Sequence, residues 1–231
     1  MLACKSTYKA LLLVTVLLSA VTLYADERPY LCEFGFQGGT SYYVGDATRH
    51  IFNYPRWSAG AQFRYKFTER WALQVKGQMQ EIMFPAPDAN GYPIQKPAAT
   101  DLLKNQLVCI DAVGEFNFFR LGQKQYNSKV KQITPYIFLG IGVGLYNDFK
   151  SAGAYLPFGF GMKWKFAPRW GLNLAWQHQL FFADNLENTA AYDNTYNLNG
   201  SNILNLDLTS TLTLGIVFEF ARQRSVCKKC Q

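Results

Sequence analysis

Trp71-Ala72-Leu73-Gln74-Val75-Lys76-Gly77-Gln78-Met79-Gln80 is the stretch on which the fold turns. Its odd positions, Trp71, Leu73, Val75, Gly77 and Met79, carry no polar side chain. Its even positions after Ala72 are Gln74, Lys76, Gln78 and Gln80. Successive strand side chains point to opposite faces, so this run reads as a strand with one apolar and one polar face.

The same pattern returns near the end of the chain. Leu204, Leu206, Leu208, Leu212, Leu214, Ile216, Phe218 and Phe220 share one parity, broken only by Ser210. Asn205, Asp207, Thr209, Thr211, Thr213 and Glu219 share the other. Strands of soluble sandwiches are usually about 3–10 residues long. A run of about 17 residues crosses a hydrocarbon core and extends above it. The pattern therefore favours a membrane barrel over a soluble sandwich.

Working outward, six more segments alternate in the same way: 30–40, 58–67, 104–119, 134–146, 154–166 and 170–181. With 71–84 and 203–220 they predict an all-β fold, an eight-stranded antiparallel transmembrane β-barrel. An even strand count puts both ends on one side, periplasmic in bacterial barrels. Segments 41–57, 85–103, 147–153 and 182–202 then become outer loops, and 68–70, 120–133 and 167–169 periplasmic turns. Only 120–133 is long for its side. Lys66-Phe67-Thr68-Glu69-Arg70-Trp71-Ala72-Leu73-Gln74 also resembles Lys165-Phe166-Ala167-Pro168-Arg169-Trp170-Gly171-Leu172-Asn173, two matching strand-turn-strand units. The flanking Phe and Trp suit an aromatic girdle at headgroup level.

The N-terminus has the anatomy of a secretory signal. Lys5 and Lys9 precede the apolar run from Ala10 to Leu18, and Ser19, Ala20 and Ala25 supply small residues at its exit. That run is too short for a helical membrane span. The expected division is a signal peptide at 1–25, cut after Ala25 or alternatively Ala20, a barrel at 26–220, and a basic periplasmic tail at 221–231. Slightly negative mean hydropathy, 16% aromatics and 18 Gly agree with strands that have one lipid face and one polar face.

Eight strands enclose a lumen that side chains fill, which argues against a wide channel. Parity turns Glu33, Arg64, Lys76, Asp111, Glu115, Lys163, Lys165 and Glu219 inward. Buried charge is tolerable only when paired. Strand direction puts Glu33, Glu115 and Glu219 near the inner end, where pairing with Arg64, Lys163 or Lys165 is expected. Gly140, Gly142 and Gly144 share the inward parity of Phe138 and leave room for bulky neighbours.

The catalytic inventory is sparse. His50 falls in the first outer loop near Asp46, and His178 sits on the lipid-facing parity of the seventh strand. A Ser-His hydrolase needs its serine within hydrogen-bond reach. None lies two residues from His178 on its own face, which leaves a serine from a neighbouring strand open. No catalytic residue, metal site or cofactor is expected, and no nucleic-acid partner.

Cys4 leaves with the signal. Cys109 faces the lumen as a free thiol. Cys227-Lys228-Lys229-Cys230 forms a C-x-x-C in the tail, and an oxidising compartment favours a disulfide there over metal. Barrel closure brings Cys32 near the same rim, so a disulfide involving Cys227 or Cys230 is expected. Of the 23 Lys and Arg, two leave with the signal, so 21 face 16 acids, a net of +5. Arg120, Lys124, Lys129 and Lys131 lie in the long inner turn and Arg222, Arg224, Lys228 and Lys229 in the tail. This basic face would steer an acidic partner.

Tyr30-Leu31-Cys32-Glu33-Phe34-Gly35-Phe36, followed by Tyr42-Tyr43-Val44-Gly45-Asp46, resembles the opening of PorG-type outer-membrane barrels of the type IX secretion system. Glu115-Phe116-Asn117-Phe118-Phe119 and Thr134-Pro135-Tyr136-Ile137-Phe138-Leu139-Gly140-Ile141-Gly142-Val143-Gly144 are similar to its central strands; 170–231 matches only as generic barrel. The resemblance implies a non-enzymatic outer-membrane component, set in outer-membrane lipid, that tethers a periplasmic ring of PorK- and PorN-like proteins. A small adhesin or ligand-binding barrel acting through its outer loops is the alternative from another class. A lipid-modifying enzyme is third.

Overall fold

The computed structural model describes residues 30–44, 52–86, 98–121, 131–146, 150–182 and 207–222. The expected signal peptide at 1–25 and most of the expected tail at 221–231 lie outside them. The described residues form eight strands: β1 (Tyr30–Val44), β2 (Arg56–Lys66), β3 (Trp71–Pro85), β4 (Leu102–Asn117), β5 (Ile133–Tyr146), β6 (Ser151–Lys165), β7 (Trp170–Phe181) and β8 (Leu208–Arg222). Each pairs antiparallel with its sequence neighbour, and β1 pairs with β8 from Tyr30↔Arg222 to Val44↔Leu208. The barrel is closed, so no strand edge leaves its amides unpaired.

Several boundaries differ from the sequence expectation. β1 runs four residues past 40, because β8 offers partners as far as Leu208. β8 begins among the described residues at Leu208, where the ladders to both neighbours reach Leu180↔Leu208 and Val44↔Leu208; 203–206 of the expected strand lie outside them. β4 stops at Asn117, two residues short of 119.

Two tight turns share one end of the barrel with the chain ends, here called the termini end. At 67–70 the Thr68 hydroxyl accepts from the Trp71 amide at 2.9 Å, and the Phe67 amide donates to the Trp71 carbonyl at 3.0 Å. Short polar side chains close turns in this way. At 167–169 the backbone does the same work, with mutual Ala167–Trp170 bonds at 3.3 Å.

The molecule is apolar outside and polar inside. On β3, Ala72, Gln74, Lys76, Gln78 and Gln80 are buried while Trp71, Leu73, Val75 and Met79 are exposed. Ile141 is 73% exposed, and Phe36 and Ile110 are each 61%. A soluble domain reverses this arrangement. All five tryptophans are on outward positions: Trp71, Trp164 and Trp170 toward the termini end, Trp57 and Trp176 toward the loop end. Trp57 stands beside Ser58, which pairs with Gln80, so it lies about ten strand residues above Trp71. At about 3.3 Å per residue and a tilt of about 40°, that height is roughly 25 Å, the height of an apolar transmembrane band.

Candidate functional site

The lumen is filled in three layers. Nearest the termini end is one connected ion network. Arg64 pairs with Glu33, and its Nη2 donates to Glu115 Oε1 at 2.9 Å. Lys163 Nζ lies 2.6 Å from the other Glu115 oxygen and donates to Asn117 at 2.9 Å. Lys66 reaches Glu33 at 2.5 Å and Glu219 at 2.8 Å, and Lys165 completes the chain on Glu219. Three carboxylates are thus interleaved with four cations, each carboxylate touching two of them. Arg64 and Glu115 are essentially without solvent contact. Such a buried cluster is tolerable because each of its charges has an opposite neighbour.

Parity placed Glu33, Arg64, Glu115, Lys163, Lys165 and Glu219 on this face. It overlooked Lys66, treated as a strand end, although Lys66 shares the parity of Arg64 and is the link that joins the two halves of the network.

Above lies an amide layer. Asn173 donates to Gln62 at 3.4 Å and accepts from the Tyr136 hydroxyl at 2.8 Å. Gln37 donates to Gln78, Gln78 to Gln80, and Gln80 to Gln179, at 3.2, 2.9 and 2.8 Å. Asp111 accepts from Tyr155 at 3.1 Å and from Gln177 at 3.0 Å, with Lys76 3.7 Å away.

The loop end is closed by apolar side chains: Tyr43, Ile82, Phe84, Leu107, Cys109, Tyr146, Tyr155 and Phe181. Gly142 and Gly144 make this packing possible. A Cβ at Gly142 would stand 2.3 Å from the Tyr155 ring, and one at Gly144 2.8 Å from Phe181.

At the termini-end rim an open cleft of about 400 Å³ is lined by Arg70, Phe118, Phe119, Arg120 and Lys131. Lys131 Nζ sits 4.1 Å above the Phe119 ring, and Arg120 pairs with Glu69 at 2.5 Å, both half exposed. Leu121 and Lys131 form a bridge that narrows the long inner connection at its base. Arg222 ends β8 opposite Tyr30. Lys124, Lys129, Arg224, Lys228 and Lys229 lie outside the described residues.

Cys109 is a buried free thiol. Cys32 is also free and stands on the outward face, opposite Phe220 and Tyr65. The expected disulfide is thus not formed at Cys32, and Cys227 and Cys230 lie outside the described residues. No group of three or more potential metal ligands occurs among the described residues.

Strand pairing sets His178 directly opposite Ser210, a juxtaposition that sequence parity could not supply. The serine is buried and accepts from Trp176 Nε1 at 2.8 Å. His178 packs between Phe158 and Trp176, at ring distances of 5.4 and 5.3 Å, and its buried Nδ1 has no hydrogen-bond partner. A serine nucleophile needs a base bonded to it and that base held by a third group; neither bond is made among the described residues.

A closed barrel with an apolar belt outside and a packed polar lumen inside is a small membrane-spanning β-barrel. Within that class, the chain belongs to the family described as Domain of unknown function (DUF6089), which it matches over residues 9–229. No curated protein matches the chain.

Solved structures to which it is similar include the attachment invasion locus protein Ail of Yersinia pestis, in complex with the heparin analogue sucrose octasulfate. The identity is 12%, with 83% of this chain and 99% of that one covered at a TM-score of 0.47. Neisserial surface protein A is 10% identical over 82% and 97%, at 0.49. OprG from Pseudomonas aeruginosa is 10% identical over 83% and 97%, at 0.40.

Proposed function

We propose that the protein is a non-enzymatic bacterial outer-membrane component of a protein secretion machine, tethering a periplasmic ring of PorK- and PorN-like proteins. The observation that carries this reading is a lumen filled by side chains among the described residues. With ion network, amide layer and aromatic plug stacked from end to end, the barrel offers its end faces to partners rather than a path to solutes.

An even-stranded barrel keeps both chain ends periplasmic. That rule turns Arg70, Arg120 and Lys131 toward the periplasm, together with Lys124, Lys129 and the cations of the tail. Exposed like charges steer an oppositely charged partner and set its orientation. The resemblance of 30–46, 115–119 and 134–144 to PorG-type barrels supplies the class of partner.

The test replaces Arg120, Lys124, Lys129 and Lys131 by Glu and recovers the barrel with its partners from detergent extract. Expected are intact barrel assembly, loss of the ring proteins, and a difference from wild type that shrinks as salt rises. Undiminished recovery at low salt refutes the tether.

A further inference from the structure

We propose that the cleft formed by Arg70, Phe118, Phe119, Arg120 and Lys131 holds the phosphate of an anionic phospholipid in the leaflet at the termini end. Its acyl chain would lie in an outward trough floored by Gly114. The proposal uses the orientation argued above but concerns lipid rather than protein.

The cleft's frame is fixed by backbone bonds, which leaves the charged tips free. The Arg70 carbonyl accepts from the Asn117 amide at 2.7 Å and from its side chain at 3.2 Å. The Phe119 amide donates to the Thr134 hydroxyl at 3.0 Å, and that hydroxyl donates to the Phe119 carbonyl at 3.1 Å. The Lys131 amide donates to the Arg120 carbonyl at 2.9 Å. Three cations therefore face one cleft. Glu69 offsets Arg120 alone; no described carboxylate pairs with Arg70 or Lys131. Guanidinium groups bind phosphate oxygens in pairs, and a lysine adds a point charge.

Position decides between a lipid phosphate and a free one. Phe118 lines the cleft and also ends an outward stack, Trp71–Phe116–Phe118, with ring centroids 5.0 and 5.5 Å apart. Aromatic rings of this kind mark the depth of the headgroups. One step into the membrane, Gly114 pairs with Leu73 on one side and Leu139 on the other, 40% and 59% exposed. The space above Gly114 is open, the nearest atom to a Cβ there being the Leu139 carbonyl oxygen at 3.8 Å. Cations, rings and trough thus run in the order headgroup, interface, acyl chain. A zwitterionic lipid would bring its own ammonium to a site already in positive excess, so the geometry selects a net negative headgroup.

The experiment uses the full mature chain, folded in detergent and mixed with phosphatidylglycerol, phosphatidylcholine or glycerol 3-phosphate, with retained lipid read by native mass spectrometry. Expected is preferential retention of phosphatidylglycerol, weakened about fivefold by Arg70→Gln, as for loss of one cation at an anionic surface. Gly114→Leu, which fills the trough and leaves every cation in place, should also lower retention. Lys104→Gln, an equal charge loss near the loop end, should not.

Equal retention of phosphatidylcholine, displacement by glycerol 3-phosphate, or equal losses in Lys104→Gln and Arg70→Gln would each overturn the site. So would full retention by folded Gly114→Leu. Arg70 and Gly114 are absent from the tether variant, so the two readings fail separately.

Discussion

Glu115→Gln tests the lumen network at its centre. Glu115 is fully buried on β4 and shared by two cations: Arg64 reaches Oε1 at 2.9 Å and Oε2 at 2.7 Å, and Lys163 lies 2.6 Å from Oε2. Glutamine keeps the shape but removes the charge and turns an amide donor toward those cations. Arg64 retains Glu33, whereas Lys163 keeps the neutral Asn117 oxygen at 2.9 Å and the face of the Tyr136 ring at 4.4 Å. The network passes from four cations against three carboxylates to four against two.

Removing one partner of a buried pair costs about 3–5 kcal/mol. The pairings that survive place this case at the lower end, about 3 kcal/mol, or roughly 150-fold in the folding constant. Lys163→Met in the same chain restores a single excess charge and should recover at least half the loss. The assay is equilibrium urea unfolding of the refolded barrel in lipid or detergent, followed by tryptophan fluorescence and by heat-modifiable gel migration. A loss under about 1 kcal/mol, the range of an exposed pair, would refute the reasoning. A double variant less stable than either single would do so as well.

Gly142→Ala should cost about 1–3 kcal/mol by overpacking, because the Tyr155 ring it meets is held by Phe181 and Asp111. Gly77→Ala, with open space around its Cβ position, should stay within about 0.5 kcal/mol; the same unfolding curves compare them, and equal losses would contradict the packing. Cys109, with no exposed surface, should resist a polar maleimide until the barrel unfolds, and labelling in the folded state, read by mass mapping, would show the plug to be open. Brominated acyl chains should quench the outward tryptophans, and unquenched fluorescence in vesicles would argue against the lipid-facing belt.

Strand parity was legible because its cause is local. The pleat alone fixes which way each side chain of 71–80 points, and the same rule turned Glu33, Glu115 and Glu219 inward. Register was not legible in that way, and height only where strand direction set it. Tyr43 fell in a segment read as an outer loop, and only the pairing of strands gathers it with Tyr155 and Phe181 into one plug at the loop end. Ser210 reads as a polar lapse in an apolar series until the β7–β8 register sets it beside His178 and Trp176. Lys66 was lost at a strand end, where periodicity is weakest, although its long side chain reaches two strands.

The seam between β1 and β8 sets Glu33 directly opposite Glu219. Like charges so placed repel, and the opposition is relieved by Arg64 and Lys66 arriving from β2 and Lys165 from β6. Neither first nor last strand carries the means of its own joining. The ring can shut favourably only after the hairpin following β1 has formed and β6 stands across the lumen in its proper register. Closure thereby acts as an inspection of assembly: with β6 out of register Glu219 loses Lys165, and the seam shuts against a weaker counter-charge.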